Sequence, residues 1–215
     1  MQWKEALKSK SFFLKIIITP GLFVVYSSVT QKLGNFVQAR KGFQLDDKLL
    51  YWFPHVDYSI SIFIVLYTSL FLLIVTHLNQ PKVILRIIEM HFLVAIVRQL
   101  CILALPLEPP LGIIVLRDVF LENTFYPHHT PMTKDLFFSG HVASILIYYL
   151  CAKKRWLRAI LFCMLILMSY MILCMKVHYT YDVYGAILFT FFIYKVLSGE
   201  HVSLKQLFQK GNSQL

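Results

Sequence analysis

The sequence predicts an all-α membrane protein whose residues 1–215 form a single domain, a polytopic bundle of six transmembrane helices. Hydrophobic residues make up 58% of the chain and charged residues only 15%, which leaves too little polar surface to cover a soluble globule of this size. The apolar residues are concentrated in several runs of about 20, the length that crosses a bilayer. Polar connections separate these runs, as expected for a chain that crosses the membrane repeatedly.

The first three helices are predicted near residues 12–29, 58–76 and 83–105. The first contains Pro20, which a membrane helix tolerates when its neighbours satisfy the freed carbonyl. A basic stretch precedes it without an evident small-residue cleavage site, so we expect a retained helix rather than a signal peptide. A long polar connection is predicted from residue 31 to residue 57.

The third helix carries four ionisable side chains. Such groups are costly at membrane depth and are functional candidates. Arg86 and Glu89 are three residues apart and could pair on one face, and for these two and His91 a structural role is favoured. Arg98 lies about two turns before Pro106 at 3.6 residues per turn. It is therefore expected near the opposite membrane surface and is a stronger functional candidate.

The last three helices are predicted near residues 139–152, 159–177 and 182–197. The proline-rich outer loop 106–138 precedes them, and its length is more typical of an active-site cover than of a plain connector. A basic turn at residues 153–158 is the strongest cytoplasmic marker. With six crossings, it places both termini in the cytoplasm.

The net charge of +10 would suggest nucleic acid as the partner of a soluble protein. Here the basic residues lie mostly at the ends of apolar runs, where they set topology and contact lipid headgroups, so no nucleic-acid partner is expected. The four cysteines lack the paired spacing of disulfide or metal sites, and the adjacent His128 and His129 have no further ligand near them. We expect no metal and no cofactor, and the sequence is compatible with a homo-oligomer.

The stretch Asp135 to His141 places polar residues at the start of an apolar helix. Ser139 is a good N-cap residue, and Gly140 permits close approach of the backbone. An anion bound there would meet free N–H groups and the positive end of the helix dipole. Taken alone, a serine cap followed by an interfacial histidine, His141, explains the pattern equally well.

His178 and Asp182 form a second candidate group. Four residues apart, they share a face if the last helix begins near His178, and the carboxylate can then hold one imidazole nitrogen. The other nitrogen is left for nucleophilic attack or proton transfer, although such a pair alone is more often a plain hydrogen bond. The predicted topology brings this pair, Arg98 and the Ser139–His141 stretch to one membrane surface. A cation and two histidines together favour phosphoryl transfer.

These motifs resemble those of a known family. The pattern Asp, three residues, Ser-Gly-His over Asp135–His141, together with His-Tyr-Thr-Tyr-Asp-Val from His178, is similar to the two catalytic motifs of the sphingomyelin synthase family. That family lies within the wider type 2 phosphatidic acid phosphatase group. The segment Arg98–Pro106 resembles the preceding motif of the family, and the stretch around Asp46 is a weaker echo of its first external motif.

The resemblance implies six membrane helices, an outward-facing site and a phosphohistidine formed on His178. It implies that Asp182 orients this histidine and that His141 protonates the leaving group and then deprotonates the acceptor. Phosphate contacts would fall on Arg98, Ser139 and Gly140. Asp135, Tyr179 and Lys176 are candidate supporting residues beside the motifs.

The expected function is transfer of a phosphorylated headgroup from a glycerophospholipid to a lipid acceptor such as ceramide or diacylglycerol, at the extracellular, periplasmic or lumenal face. Donor and acceptor lipids are then the partners. Lipid phosphatases of the wider group usually carry a Ser-Arg pair ahead of the nucleophilic histidine. Here no arginine lies just before His178, where Lys176 is the nearby cation, and this departure from the pattern favours a transferase over a lipid phosphate phosphatase that uses water. A small transporter is a remote alternative, because the ionisable residues gather at one face instead of forming a relay.

Overall fold

The computed structural model describes residues 3–117 and 132–199, and every regular element longer than a single bridge in these ranges is helical, as predicted. A 3₁₀ turn spans Leu50–Trp52. The α-helices, in chain order, are α1 Trp3–Lys8, α2 Lys10–Ala39, α3 Ser59–His77, α4 Pro81–Ala104, α5 Gly140–Cys151, α6 Arg155–Cys174 and α7 Thr180–Leu197. Residues 118–131, which include His128 and His129, and residues 200–215 lie outside the described residues.

Five of the described helices are long and apolar enough to cross a membrane, namely α2, α3, α4, α6 and α7. The remaining apolar helix, α5, has only 12 residues. At 1.5 Å per residue it rises about 18 Å, less than the hydrocarbon thickness of about 30 Å. Six crossings and cytoplasmic termini therefore stay predictions, whereas five candidate spans are observed.

The end predicted for the first helix is wrong, because α2 continues ten residues beyond residue 29. The predicted end coincides with the end of the apolar run, whereas the helix continues beyond that run. The added turns contain no proline, and Val37 within them is buried, so they extend the helix as a partly packed segment. The polar connection begins only at Arg40.

The ionisable residues of α4 other than Arg98 have structural contacts. Glu89 pairs with Lys15 of α2 at 3.0 Å, a partner different from the predicted Arg86. His91 Nδ1 contacts the Ile87 carbonyl at 2.9 Å, and its ring packs on Tyr148 at 5.4 Å between centroids. The structural role predicted for these two residues agrees with these contacts.

Helix α5 lies at the centre of the bundle. It packs against α3, α4, α6 and α7, and more than half of its residues are buried, including Ile145, Ile147 and Tyr148. Its apolar sequence is thus explained by burial inside the protein, although the helix is too short to span a bilayer. The start of this central helix is where the Ser-Gly-His motif lies.

The bundle has two distinct ends. At one end, the Lys153 N–H donates to His77 Nε2 at 3.1 Å, so the end of α3 meets the basic turn between α5 and α6. At the other end, Phe43 and Leu107 form a short parallel bridge, and the Ile114 N–H donates to the Met175 carbonyl at 2.8 Å. We call this second group, residues 40–58, 105–117, 132–139 and 175–179, the loop end. All candidate site residues lie in or next to it.

Candidate active site

His178 and Asp182 form a buried pair. Their Nδ1 and Oδ2 atoms are 3.0 Å apart, with His178 5% and Asp182 0% exposed. Asp182 Oδ2 also accepts the Tyr179 N–H at 2.9 Å, so we assign the carboxylate as acceptor and Nδ1 as donor. This leaves His178 Nε2 as the nitrogen with an available lone pair.

The pair is held by a helix cap rather than by a shared helix face. Helix α7 begins at Thr180, with Tyr179 as its N-cap, so His178 lies before the helix and not within its first turn as the spacing argument assumed. Asp182, at the third helical position, reaches back to the cap residue, as an acidic residue does in a capping box. The helix start therefore fixes the carboxylate that orients the imidazole.

The Asp135–His141 motif is joined to this pair through the backbone. The Ser139 N–H donates to the Asp182 carbonyl at 3.1 Å, which places the start of α5 beside the first turn of α7. Before α5 the chain is non-helical, but Leu136 and Phe138 are fully buried. The two predicted motifs thus meet at one point of the fold.

Ser139 occupies the N-cap position of α5, but its side chain makes no capping hydrogen bond. This part of the cap prediction is wrong. Ser139 Oγ is buried and has no hydrogen-bond partner among the described residues, as is also true of Asp182 Oδ1. A buried hydroxyl without a partner is unfavourable by about 1–3 kcal/mol.

Arg98 links α4 to the segment before α5. Its Nε donates to the Phe138 carbonyl at 2.6 Å, and its Nη2 donates to the Asp135 carbonyl at 3.1 Å and to Asp135 Oδ2 at 2.9 Å. A Cβ placed on Gly140 would lie 3.4 Å from Arg98 Nε. Because Gly140 has no side chain, the guanidinium lies directly against the start of α5.

His141 lies in the first turn of α5 and is partly buried. Its ring meets the Phe63 ring edge-on, with 5.8 Å between the centroids. Phe63 belongs to α3, so the second histidine of the predicted site is positioned between α3 and α5. His141 and His178 are thus carried by the two helix starts that the Ser139 bond joins.

Tyr179 and Lys176 hold loops together instead of facing His178. The Tyr179 hydroxyl donates to the Glu108 carbonyl at 2.9 Å and accepts the Leu45 N–H at 3.2 Å. Lys176 Nζ donates to the Phe53 carbonyl at 3.0 Å and to the carbonyl of Leu50. Burial lowers the pKa of Lys176, while the nearby Cys174 and Asp47 act in the opposite direction.

A cavity of about 290 Å³ lies next to this turn, between the 44–51 segment and the 110–111 segment. Its walls include Asp46, Asp47, Lys176 and Tyr179. Sequence reasoning gave no role to Asp47, which is buried and bonded to Thr180. The sequence signals were the adjacent acidic pair in the loop and the weak resemblance of this stretch to a family motif, and neither tells which carboxylate is buried.

Comparison with known proteins gives one match. The family model described as PAP2 superfamily C-terminal matches residues 133–199, a region that starts just before Asp135 and includes both histidine motifs but not Arg98. No curated protein and no solved structure matches the chain. The matched region covers less than half of the chain. It supports a relation to the PAP2 superfamily and to enzymes that act on phosphate esters.

Proposed function

We propose that the protein is an integral membrane phosphotransferase that moves a phosphorylated headgroup from a glycerophospholipid to a lipid acceptor such as ceramide or diacylglycerol. The observation that carries this proposal is the buried His178–Asp182 pair, bonded through the backbone to the uncapped start of α5. This arrangement offers a nucleophile, an orienting carboxylate and an anion-binding helix start in one place.

In the first step, His178 Nε2 attacks the phosphorus of the donor lipid. A P–N bond forms, the P–O bond to diacylglycerol breaks, and His141 gives its proton to the leaving oxygen. In the second step, His141 takes the proton of the acceptor hydroxyl, whose oxygen attacks phosphorus while the P–N bond breaks. Asp182 stabilises the positive charge that His178 carries in the intermediate.

The two helix starts differ in what occupies them. At α7, the Tyr179 and Thr180 N–H groups are bound by the carboxylates of Asp182 and Asp47, so an anion has no place there. At α5, Ser139 provides no side-chain cap. The dipole of α5 and the nearby guanidinium of Arg98 therefore favour a phosphate at the start of α5.

The loop end would face the exterior or the lumen, and the basic turn at residues 153–158 would face the cytoplasm. The support for this orientation is the charge rule for membrane proteins together with the contacts that place this turn and the candidate site at opposite ends of the bundle. The site would then act on lipids of the outer leaflet.

The test is headgroup transfer by the full chain in vesicles that contain a phospholipid with a labelled headgroup and an acceptor lipid. We expect His178→Ala to abolish transfer, because it removes the nucleophile. His55→Ala is the matched control, since His55 is an exposed histidine of the loop end whose Nε2 contacts the Gly112 carbonyl. It should keep transfer close to wild type.

Full activity of the His178→Ala protein would contradict the assigned mechanism. Release of phosphate from phosphatidic acid without headgroup transfer would instead identify a lipid phosphate phosphatase that uses the same histidines with water as acceptor. Assaying both reactions on the same preparation separates the two outcomes.

A further inference from the structure

We infer that Asp47 is a positioning residue for the proposed reaction: by holding the first turn of α7, it keeps Asp182 on His178. This inference rests on the proposed function. It concerns a residue of the loop end that lies 133 positions before its main partner in the chain.

Asp47 is a buried carboxylate, and both of its oxygens accept hydrogen bonds. Its Oδ2 accepts the Thr180 N–H at 2.6 Å, and the Thr180 hydroxyl lies 2.8 Å from Oδ2 and 3.0 Å from Oδ1. Oδ1 also accepts the Leu50 N–H at 3.2 Å. Only 3% of Asp47 is exposed. Burial of a carboxylate is unfavourable unless hydrogen bonds compensate it, and here the compensation comes mainly from Thr180.

The neighbouring carboxylate provides a contrast. Asp46 is exposed, and its Oδ1 lies 3.5 Å from the Tyr51 hydroxyl, at the limit of a hydrogen bond. Asp46 therefore has the same charge and almost the same chain position as Asp47, but no bond to α7. The pair offers a matched comparison within the chain.

The effect of Asp47 reaches His178 through adjacent peptide groups. The Tyr179 N–H is bound by Asp182 and the Thr180 N–H by Asp47. Without the Asp47 carboxylate, the Thr180 N–H and hydroxyl would need another acceptor, and Asp182 is the acidic residue in the first turn of the same helix. Asp182 would then be shared between Thr180 and His178, and the imidazole would lose its fixed orientation.

The segment that carries Asp47 is itself held in place. The Leu45 N–H donates to the Tyr179 hydroxyl, and Lys176 Nζ donates to the Phe53 carbonyl. These bonds fix the segment on both sides of Asp47 to the turn between α6 and α7. Asp47 therefore acts from a rigid support, which is what a positioning residue requires.

The experiment compares four variants of the full chain in vesicles. Misalignment of a catalytic group by about 1 Å can lower a rate by about 100-fold, so we expect Asp47→Asn to lower kcat by roughly 10- to 100-fold with KM changed by less than about 3-fold. Asp46→Asn should keep wild-type kcat. Thr180→Val, which replaces the hydroxyl by a methyl group, should lower kcat by a smaller factor. Thr180→Ser, which keeps the hydroxyl, should have a kcat close to that of wild type.

The double variant Asp47→Asn with Thr180→Val tests the connection directly. Its kcat should be close to that of Asp47→Asn alone, because both changes remove the same contact. The thermal midpoint is measured in parallel. A variant with a lowered midpoint but unchanged kcat at a temperature where it is folded would show a merely structural role, and this outcome would overturn the inference.

The inference and the proposed function fail in different ways. If His178→Ala abolishes transfer while Asp47→Asn and Thr180→Val keep the kcat of Asp46→Asn, only the inference is wrong. If His178→Ala keeps full transfer, the proposed function is wrong. If Asp47→Asn does not fold, the comparison of Thr180→Val with Thr180→Ser decides, and equal kcat for these two overturns the inference.

Discussion

At the scale of single residues, Arg98 joins the motif segment to α4. It binds the carbonyl oxygens of Asp135 and Phe138 as well as the Asp135 carboxylate. Three acceptors in different directions suit the planar guanidinium, whereas the ammonium of lysine is a point charge on a flexible stem. Arg98 thus has a structural task besides the phosphate contact that the resemblance implies.

We predict that Arg98→Lys lowers headgroup transfer by at least about 10-fold, because the lysine keeps the charge but cannot hold the segment before α5 in place. Asp135→Asn is the control. It weakens one ion pair of partly exposed side chains and keeps the carbonyl contacts, so its loss should be smaller. Equal activity of Arg98→Lys and wild type would show that the fork geometry of Arg98 is not needed.

The sequence predicted some residue contacts and missed others for a physical reason. The His178–Asp182 pair was predicted because its partners are four residues apart, so local geometry alone can bring them together. The bond between Asp47 and Thr180 depends on how a distant loop folds over α7, which no local pattern encodes. The Ser139 cap failed because the preference of a serine for this position does not fix where its hydroxyl turns.

At the scale of helices, the packing of α7 against the motif segment depends on Gly185. A Cβ at this position would lie 2.8 Å from Phe137 Cζ and 3.2 Å from Phe138 Cβ. The Phe138 ring is itself stacked on Phe189 of α7, with 5.2 Å between centroids. A side chain on Gly185 would therefore displace the Phe137 ring and press on Phe138, in the segment that leads into Ser139.

We predict that Gly185→Ala destabilises the protein by about 1–3 kcal/mol, as overpacking of a core does, and that it lowers transfer activity. Gly21→Ala is the matched control, because a Cβ on Gly21 of α2 meets nothing within 4 Å. The measurements are the thermal midpoint and headgroup transfer of both variants. Wild-type values for Gly185→Ala would mean that the phenylalanines can shift without consequence.

The helices themselves were largely predictable, but their ends were not. Apolar runs located α3, α4, α6 and α7 because burial in lipid and burial in protein demand the same residue types. Hydropathy did not predict that α2 extends to Ala39, since a helix can continue into a polar sequence. Nor did hydropathy distinguish a helix that is buried by protein, such as α5, from a helix that spans the bilayer.

At the scale of the whole molecule, Glu108 connects separate parts of the loop end. Glu108 Oε1 accepts from Lys134 Nζ at 2.8 Å and from the Gly42 N–H at 2.8 Å, and Lys134 Nζ also donates to the Arg40 carbonyl at 2.6 Å. These contacts join the end of α2, the segment after α4 and the segment before α5. The bonds from Lys134 and Gly42 lower the pKa of Glu108 below its usual value.

A carboxyl whose pKa is lowered by folding stabilises the folded state at pH values above the pKa that it has in the unfolded chain, about 4.3 for glutamate. This stabilisation is lost as the pH falls through the lower pKa of the folded state. We therefore predict that wild type is more stable than Glu108→Gln near neutral pH and that the difference disappears at acidic pH. Thermal midpoints across this range measure it. Lys134→Met should show the same loss, and a difference that grows on acidification would contradict the assignment.

The shortness of α5 has a consequence for the chemistry. With the basic turn after Cys151 at one membrane surface, a rise of about 18 Å ends inside a hydrocarbon layer of about 30 Å. In the proposed orientation, an irregular segment at such depth would be tolerated because Leu136 and Phe138 are buried and because Arg98 satisfies the carbonyls of Asp135 and Phe138. Under the proposed function, the phosphate of a lipid would then sink below the headgroup plane to react, where water would be scarce and the hydroxyl of a neighbouring lipid would compete well as the acceptor.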